Sequence, residues 1–367
     1  MNVRTAITMH PLTNILDRQK KNIISQKHLT TSSNFLQRSR FIFIIIPLQI
    51  LLTLTIWVRE TLISLFRREK KSLELCLDLY RRIKNRISMG VQSFSNSELH
   101  LLGRRHEVSH VLNAFETIQN AGITNISMDL MYGLPHQTIE TWERNIKAVI
   151  TAAPQHISAY ALTLEPETPM AHWVSKGTLP EQDSDLAADM YEWASVELAK
   201  AGYRNYEISN WALPGRESRH NIIYWRNLPY LGVGPGAHSF LGGYRFANGK
   251  SPLAYIAKVN AWTEPPVNLE VLLRENPGYV EDIEPMDRKT EMADSLIMGL
   301  RLADGVRNQD FQERFGLNLH EAYGDAIKET ISLGLLRSSG MWPHATIRLT
   351  ERGKLLANEA FLRFLGD

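Results

Sequence analysis

Ile126-Ser127-Met128-Asp129-Leu130-Met131-Tyr132-Gly133-Leu134-Pro135-His136-Gln137-Thr138 is the stretch that decides the fold. Ile126 to Met131 reads as a strand, Gly133-Leu134-Pro135 closes it, and a helical pattern runs on from about Thr138 to Ala152. Upstream, Ile87 to Phe94 reads as a short strand, and residues 108–121 have helical periodicity that stops at Gly122. Downstream, a third strand runs from about His156 to Leu164. Strands alternating with helices in this order predict right-handed parallel βαβ units, hence an α/β fold. Parallel α/β folds place ligands at the C-terminal ends of their strands. Gln92 falls there on the first strand, and the Tyr132-Gly133 turn lies just beyond Asp129 on the second. Asp129 stands among apolar neighbours, and a buried carboxylate needs partners. Two readings stay open: an acceptor for a ligand's hydroxyls or amine, or a surface-facing residue or partner of an arginine such as Arg104.

Further along, Leu186 to Ala201 is amphipathic and ends at Gly202, and Tyr206 to Asn210 reads as a strand. After Tyr255 the composition becomes linker-like, with Pro265-Pro266 and Pro277-Gly278. Residues 288–301, 308–315 and 320–333 are helical in pattern, Ile347 to Thr350 is a strand, and Glu351 to Phe364 a last helix. With a turn at Gly334 and a β-ribbon around Gly340 to Leu349, this predicts a small winged-helix-like domain. The helix over 320–333 carries Glu321, Asp325 and Glu329 beside one lysine, Lys328. A helix that reads nucleic acid would be basic, so the domain is expected to be a structural cap without a nucleic-acid partner.

The formal charge of +2 over 367 residues hides a division. Residues 1–85 hold 15 Lys/Arg against 5 Asp/Glu and none of the 22 glycines; the remainder holds 26 against 34. Residues 1–40 are polar, basic and expected to be a disordered tail. Phe41 to Val58 has no charge and is the most apolar run in the chain. It stands at the lower length limit for a membrane span, so it is a candidate membrane-associating segment or a buried apolar one. Residues 59–85 read as a basic amphipathic helix. A single cysteine, Cys76, excludes a disulfide framework and any multi-cysteine metal site built from this sequence alone.

The most chemically loaded stretch is His220-Asn221-Ile222-Ile223-Tyr224-Trp225, followed by the glycine run Gly232 to His238. On a helical turn His220 and Tyr224 share a face, as do Asn221 and Trp225. Imidazole is a standard axial ligand for haem iron and flat aromatics suit a macrocycle; the plainer reading is an aromatic turn that plugs a core. Gly232, Gly234 and Ala237 fit Gly-x-Gly-x-x-Ala, but no long apolar strand precedes them and Pro235 spoils a following helix, so a dinucleotide loop is rejected. Those glycines are expected where the backbone bends tightly or approaches something closely.

Residues 86 to 367 resemble the radical-SAM enzymes related to oxygen-independent coproporphyrinogen oxidase, and most closely their haem-chaperone branch, HemW. Five blocks carry the resemblance: RISMGVQSF (86–94), LGRRH (102–106), MDLMYGLPHQT (128–138), HNIIYWRNLPYLGVGPGAHSF (220–240) and LTERGKLLANEAFLRFL (349–365). It implies an incomplete radical-SAM (β/α)6-type partial barrel with a C-terminal helical, winged-helix-like domain. It implies that Gln92, Arg104 and Asp129 contact S-adenosylmethionine. His220, Asn221, Tyr224 and Trp225 match a haem-associated motif, with His220 as the ligand to haem iron. The implied activity is haem binding and transfer to a haem-accepting protein in the cytoplasm. The alternatives are an oxygen-independent coproporphyrinogen III oxidase-like radical enzyme of porphyrin biosynthesis, or an inactive fragment.

The sequence departs from the family in one large respect. The Cys-x-x-x-Cys-x-x-Cys loop that holds a [4Fe–4S] cluster is absent, and Cys76 cannot supply three thiolates. The chain is therefore expected to lack radical-SAM chemistry. The expected organisation is an unrelated basic segment over 1–85, the remaining barrel and its extension over 86–255, a linker over 256–280 and the C-terminal domain over 281–367. Residues 1–85 are expected to mark a truncated or mis-joined gene product. The sequence sets no oligomeric state.

Overall fold

The computed structural model describes residues 86–261, residue 273 and residues 280–365. The apolar stretch 41–58, the basic helix expected over 59–85, Cys76 and most of the expected linker lie outside the described residues. No helix among the described residues is long and apolar enough to cross a membrane.

The first half of the chain builds one sheet. β1 (Ile87–Gln92), β2 (Ile126–Tyr132) and β3 (His156–Ala161) are parallel, and an antiparallel hairpin, β4 (Arg204–Glu207) with β5 (Asn210–Ala212), completes the order β1-β2-β3-β5-β4. Among the described residues β1 is therefore an edge strand. The crossover elements are α1 (Asn96–Leu101), α2 (Val108–Asn120) and α3 (Ile139–Ala152); α4 (Pro169–Ser175) and α5 (Ser184–Lys200) follow β3. Apolar residues at alternate strand positions (Ile87, Met89, Ile126, Met128, Leu130, Ile157) face the apolar stripes of α2, α3 and α5 in one core. Trp142 of α3 is 0% exposed at its centre, and its indole N–H donates to the Met190 carbonyl of α5 at 2.8 Å.

The single strand expected over Tyr206 to Asn210 is a hairpin turn instead. The alternation is real, but the buried Glu207 carboxylate accepts from the Ser209 N–H and the Asn210 side-chain amide, and the chain reverses there. The third strand stops at Ala161, short of Leu164.

Beyond the sheet lie α6 (Arg219–Trp225) and a second, antiparallel sheet of β6 (His238–Leu241), β7 (Tyr244–Asn248) and β8 (Val280–Pro285). The glycine run leads into β6, and its close approach is real. A Cβ at Gly232 would stand 2.2 Å from the His238 carbonyl oxygen, and Gly234 has φ +103°. α7 (Pro252–Asn260) occupies the first residues of the stretch expected as linker.

The C-terminal unit has the expected winged-helix-like plan. α8 (Arg288–Gly299), α9 (Asn308–Phe315) and α10 (Leu319–Ser332) pack with a sheet ordered β10-β11-β9, where β9 is Val306–Arg307, β10 Leu336–Ser339 and β11 Thr346–Leu349. The last helix is broken at Leu356 into α11 (Glu351–Leu355) and α12 (Ala357–Leu362), and Leu356, Phe361 and Phe364 all reach one core. This unit is joined to the first sheet at its β4 edge: the Ile208 N–H donates to the Arg301 carbonyl and the Ala303 N–H to the Tyr206 carbonyl.

Candidate functional site

The two faces of the parallel strands differ in chemistry. Where the helix-facing side is apolar, the opposite side carries Ser88 on β1, Ser127 and Asp129 on β2, and His156, Ser158 and Tyr160 on β3. Parallel strands are ordinarily apolar on both faces, so a polar inner face needs internal partners or a ligand. Asp129 is 7% exposed. Its carboxylate accepts from Ser88 Oγ at 3.1 Å, Ser158 Oγ at 2.7 Å and Ser127 Oγ at 3.3 Å. The surface-facing reading of Asp129 is thereby corrected: Ser158, in register with it on β3, and Ser88, in register with Ser127 on β1, enclose it from both neighbouring strands. Burial, reinforced by the charges of Asp129 and Glu207, pushes the Tyr160 phenol far above its ordinary range.

Gln92 ends β1 in the left-handed region, with φ 69°. The strained turn folds its side chain back over Gly90, where an added Cβ would stand 2.7 Å from Gln92 Nε2. A buried cluster anchors the turn: Ser93 Oγ donates to Glu98 at 2.5 Å, and Glu98 also accepts from Gln137 and Asn145. Arg104 lies half-buried in the loop after α1, its N–H donating to the Leu99 carbonyl. Gln92 and Asp129 thus lie on adjacent strands of one sheet, with Gln92 in register with Leu130.

The second candidate is α6, which carries His220, Asn221, Tyr224 and Trp225. Seven residues are too few for an isolated helix to persist, so its ends must be held. Ser218 caps the start, its hydroxyl accepting from the Asn221 N–H. At the other end Asn227 adopts φ 48°, its N–H donates to Tyr224 O, and the Leu228 N–H donates to Ile223 O, a Schellman arrangement. Arg314 of α9 donates to the carbonyls of Arg226 and Asn227 and pairs with Glu291 of α8 at 2.6 Å. Asn227 Nδ2 donates to Ser295 Oγ of α8.

Between those ends every residue from His220 to Trp225 is half-buried. His220 and Tyr224 meet edge to face with centroids 4.7 Å apart, and Tyr224 meets Tyr230 likewise at 4.6 Å. Burial pushes the Tyr224 phenol up to about 12. The Arg301 guanidinium lies 5.3 Å from the Trp225 ring and 5.0 Å from that of Phe361. Trp225 Nε1 is closed off from solvent without a hydrogen-bond partner among the described residues.

Comparison with known proteins now gives this geometry a family. The Radical SAM superfamily profile matches residues 15–149, and the HemN C-terminal domain profile matches residues 286–356. The haem chaperone HemW of Lactococcus lactis subsp. lactis is 36% identical over 283 residues, spanning 77% of this chain and 69% of that protein. That of Bacillus subtilis is 34% identical over 283 residues, spanning 77% of this chain and 70% of that protein. The chain belongs to the HemW family. A mitochondrial relative from Bos taurus, radical S-adenosyl methionine domain-containing protein 1, is 34% identical across 77% of this chain and 62% of its own length. In fold the chain is similar to the coproporphyrinogen III oxidase HemN of Escherichia coli, with a TM-score of 0.60 at 20% identity over 79% of this chain and 66% of that one. The superfamily match begins at residue 15, so it reaches into the segment over 1–85.

Sequence reasoning missed Ser88, Ser127, Ser158, His156 and Tyr206. The serines share strand parity with Asp129, so a period-two reading of polar residues across the three strands was the signal available.

Proposed function

We propose that the chain binds haem at α6 and delivers it to a haem-accepting protein in the cytoplasm, as a chaperone of the HemW type. The observation that carries this reading is a short helix, fixed at both ends, that holds His220 and two large aromatics half-buried together. An imidazole is the donor haem iron takes, and Tyr224 and Trp225 supply flat apolar area for a macrocycle; Asn221 supplies an amide beside it. Delivery requires a site that releases its cargo, which a half-buried helix face permits and a deep pocket would not.

Where S-adenosylmethionine binds, Asp129, Gln92 and Arg104 are the residues to hold it, a buried carboxylate suiting its hydroxyls or amine. The [4Fe–4S] cluster does not fit this donor set, because the sequence holds one cysteine. No step through a cluster is therefore assigned to this chain.

Haem titration of purified protein tests the reading. The parent should develop a saturable Soret band, and His220→Ala should weaken binding and alter the band. An identical titration for the two proteins removes His220 from the site.

A further inference from the structure

The two candidate sites are joined by a continuous hydrogen-bonded chain. The Ser218 N–H, at the cap of α6, donates to Tyr206 Oη at 3.3 Å. Tyr206 Oη lies 2.9 Å from His156 Nε2, and His156 Nδ1 lies 2.8 Å from Ser127 Oγ. Ser127 Oγ in turn reaches the Asp129 carboxylate at 3.3 Å.

Donor and acceptor accounting gives this chain a direction. A backbone N–H can only donate, and a carboxylate can only accept. With those ends set, Tyr206 accepts from Ser218 and donates to His156 Nε2. The imidazole is then the neutral tautomer with its proton on Nδ1, donating to Ser127, which donates to Asp129. His156 is 1% exposed, and burial holds its pKa well below the ordinary histidine range, which keeps this one-donor, one-acceptor form. Each link has one orientation, so a change at Asp129 alters what Ser127 and His156 can donate, and through Tyr206 the seat of Ser218.

We propose that Tyr206 and His156 are positioning residues that seat the N-terminal end of α6 according to the state of Asp129, coupling ligand occupancy of the polar sheet face to haem binding at His220. The inference rests on the haem reading above. Neither residue needs to touch haem; both act through the Ser218 cap. The C-terminal end of α6 is separately held, Arg314 donating to the carbonyls of Arg226 and Asn227 just beyond Trp225, so the helix can tilt about that end when the other is re-seated.

Tyr206→Phe removes one hydroxyl and keeps the ring, which tests the link without opening the core. Haem titrations with Soret and spin-state readouts are compared for the parent, Tyr206→Phe, Asp129→Asn and the double variant. Tyr206→Phe should weaken haem binding about fivefold, the low end of coupling between sites, and shift the spin-state signature. Asp129→Asn should shift both in the parent background and add nothing in the Tyr206→Phe background. Equal effects of Asp129→Asn in the two backgrounds, or a Tyr206→Phe titration identical to the parent's, overturn the coupling. Should the parent take no haem, the haem reading fails on its own, and amide exchange still decides the relay. Exchange across residues 219–225 should quicken in both single variants while that of α3 stays constant, and unchanged exchange there overturns it.

Discussion

The polar face of the sheet and helix α6 both carry residues proposed to bind ligands, and they are built in opposite ways. Asp129 is enclosed: three serine hydroxyls from three adjacent strands point at it, and it is almost unexposed. His220, Tyr224 and Trp225 are half-open, and what fixes them is the ends of a seven-residue helix and not a shell around each side chain. In the first region the residues proposed to hold a ligand are also part of the fold's polar interior. In the second, the residues proposed to face a ligand can change while the helix is still seated by Ser218, Asn227 and Arg314. The contrast predicts that stability and ligand binding are entangled at Asp129 and separable at His220.

The sharpest way to break that contrast is a pair of truncations. Asp129→Ala removes a buried acceptor and strands three hydroxyls, so denaturant unfolding should show a loss of about 3–5 kcal/mol. His220→Ala removes a half-buried ring that meets Tyr224 edge to face and should cost about 1 kcal/mol. Comparable losses for the two variants would show that α6 is as structural as the sheet face.

A second variant probes how α6 is held. Arg314→Ala removes two charge-assisted bonds to the Arg226 and Asn227 carbonyls just beyond the helix and the pair with Glu291, and it should cost about 2 kcal/mol. Arg314→Lys keeps a cation there without the forked geometry and should recover part of the loss. Amide exchange localised to 219–228 would show that the deficit is the helix's own.

Much of this architecture is legible in the sequence because its signals are local. The strand–turn–helix pattern around Asp129 and the helices over 108–121 and 308–315 follow from periodicity and caps, and the structure places them within a residue or two. The hairpin at Glu207 was not legible. Tyr206 to Asn210 alternates as a strand would, and the reversal depends on a buried carboxylate bonding its own turn, which periodicity does not encode. The candidate site divides the same way. His220, Asn221, Tyr224 and Trp225 stand within six residues and announce themselves. The relay from Ser218 to Asp129 joins residues up to 91 positions apart, and nothing in either neighbourhood marks Tyr206 or His156 as its partner.

The smallest expected effect sharpens the comparison from the histidines themselves. His156 is buried and neutral in the folded protein, its pKa held well below the ordinary range first by burial and then by the Arg86 charge. The unfolded chain takes up a proton at this residue below about pH 6.5, which the folded chain refuses. Unfolded protein then binds more protons than folded, so stability is fully present above about pH 6.5 and is lost as pH falls below it. The slope from this one group is about 1.4 kcal/mol per pH unit. His156→Gln should flatten the stability profile below pH 6.5, approaching that amount about a pH unit lower, read from unfolding midpoints at half-unit steps. A profile that keeps its full slope in His156→Gln would show that the buried imidazole on the sheet face is not the group that sets it.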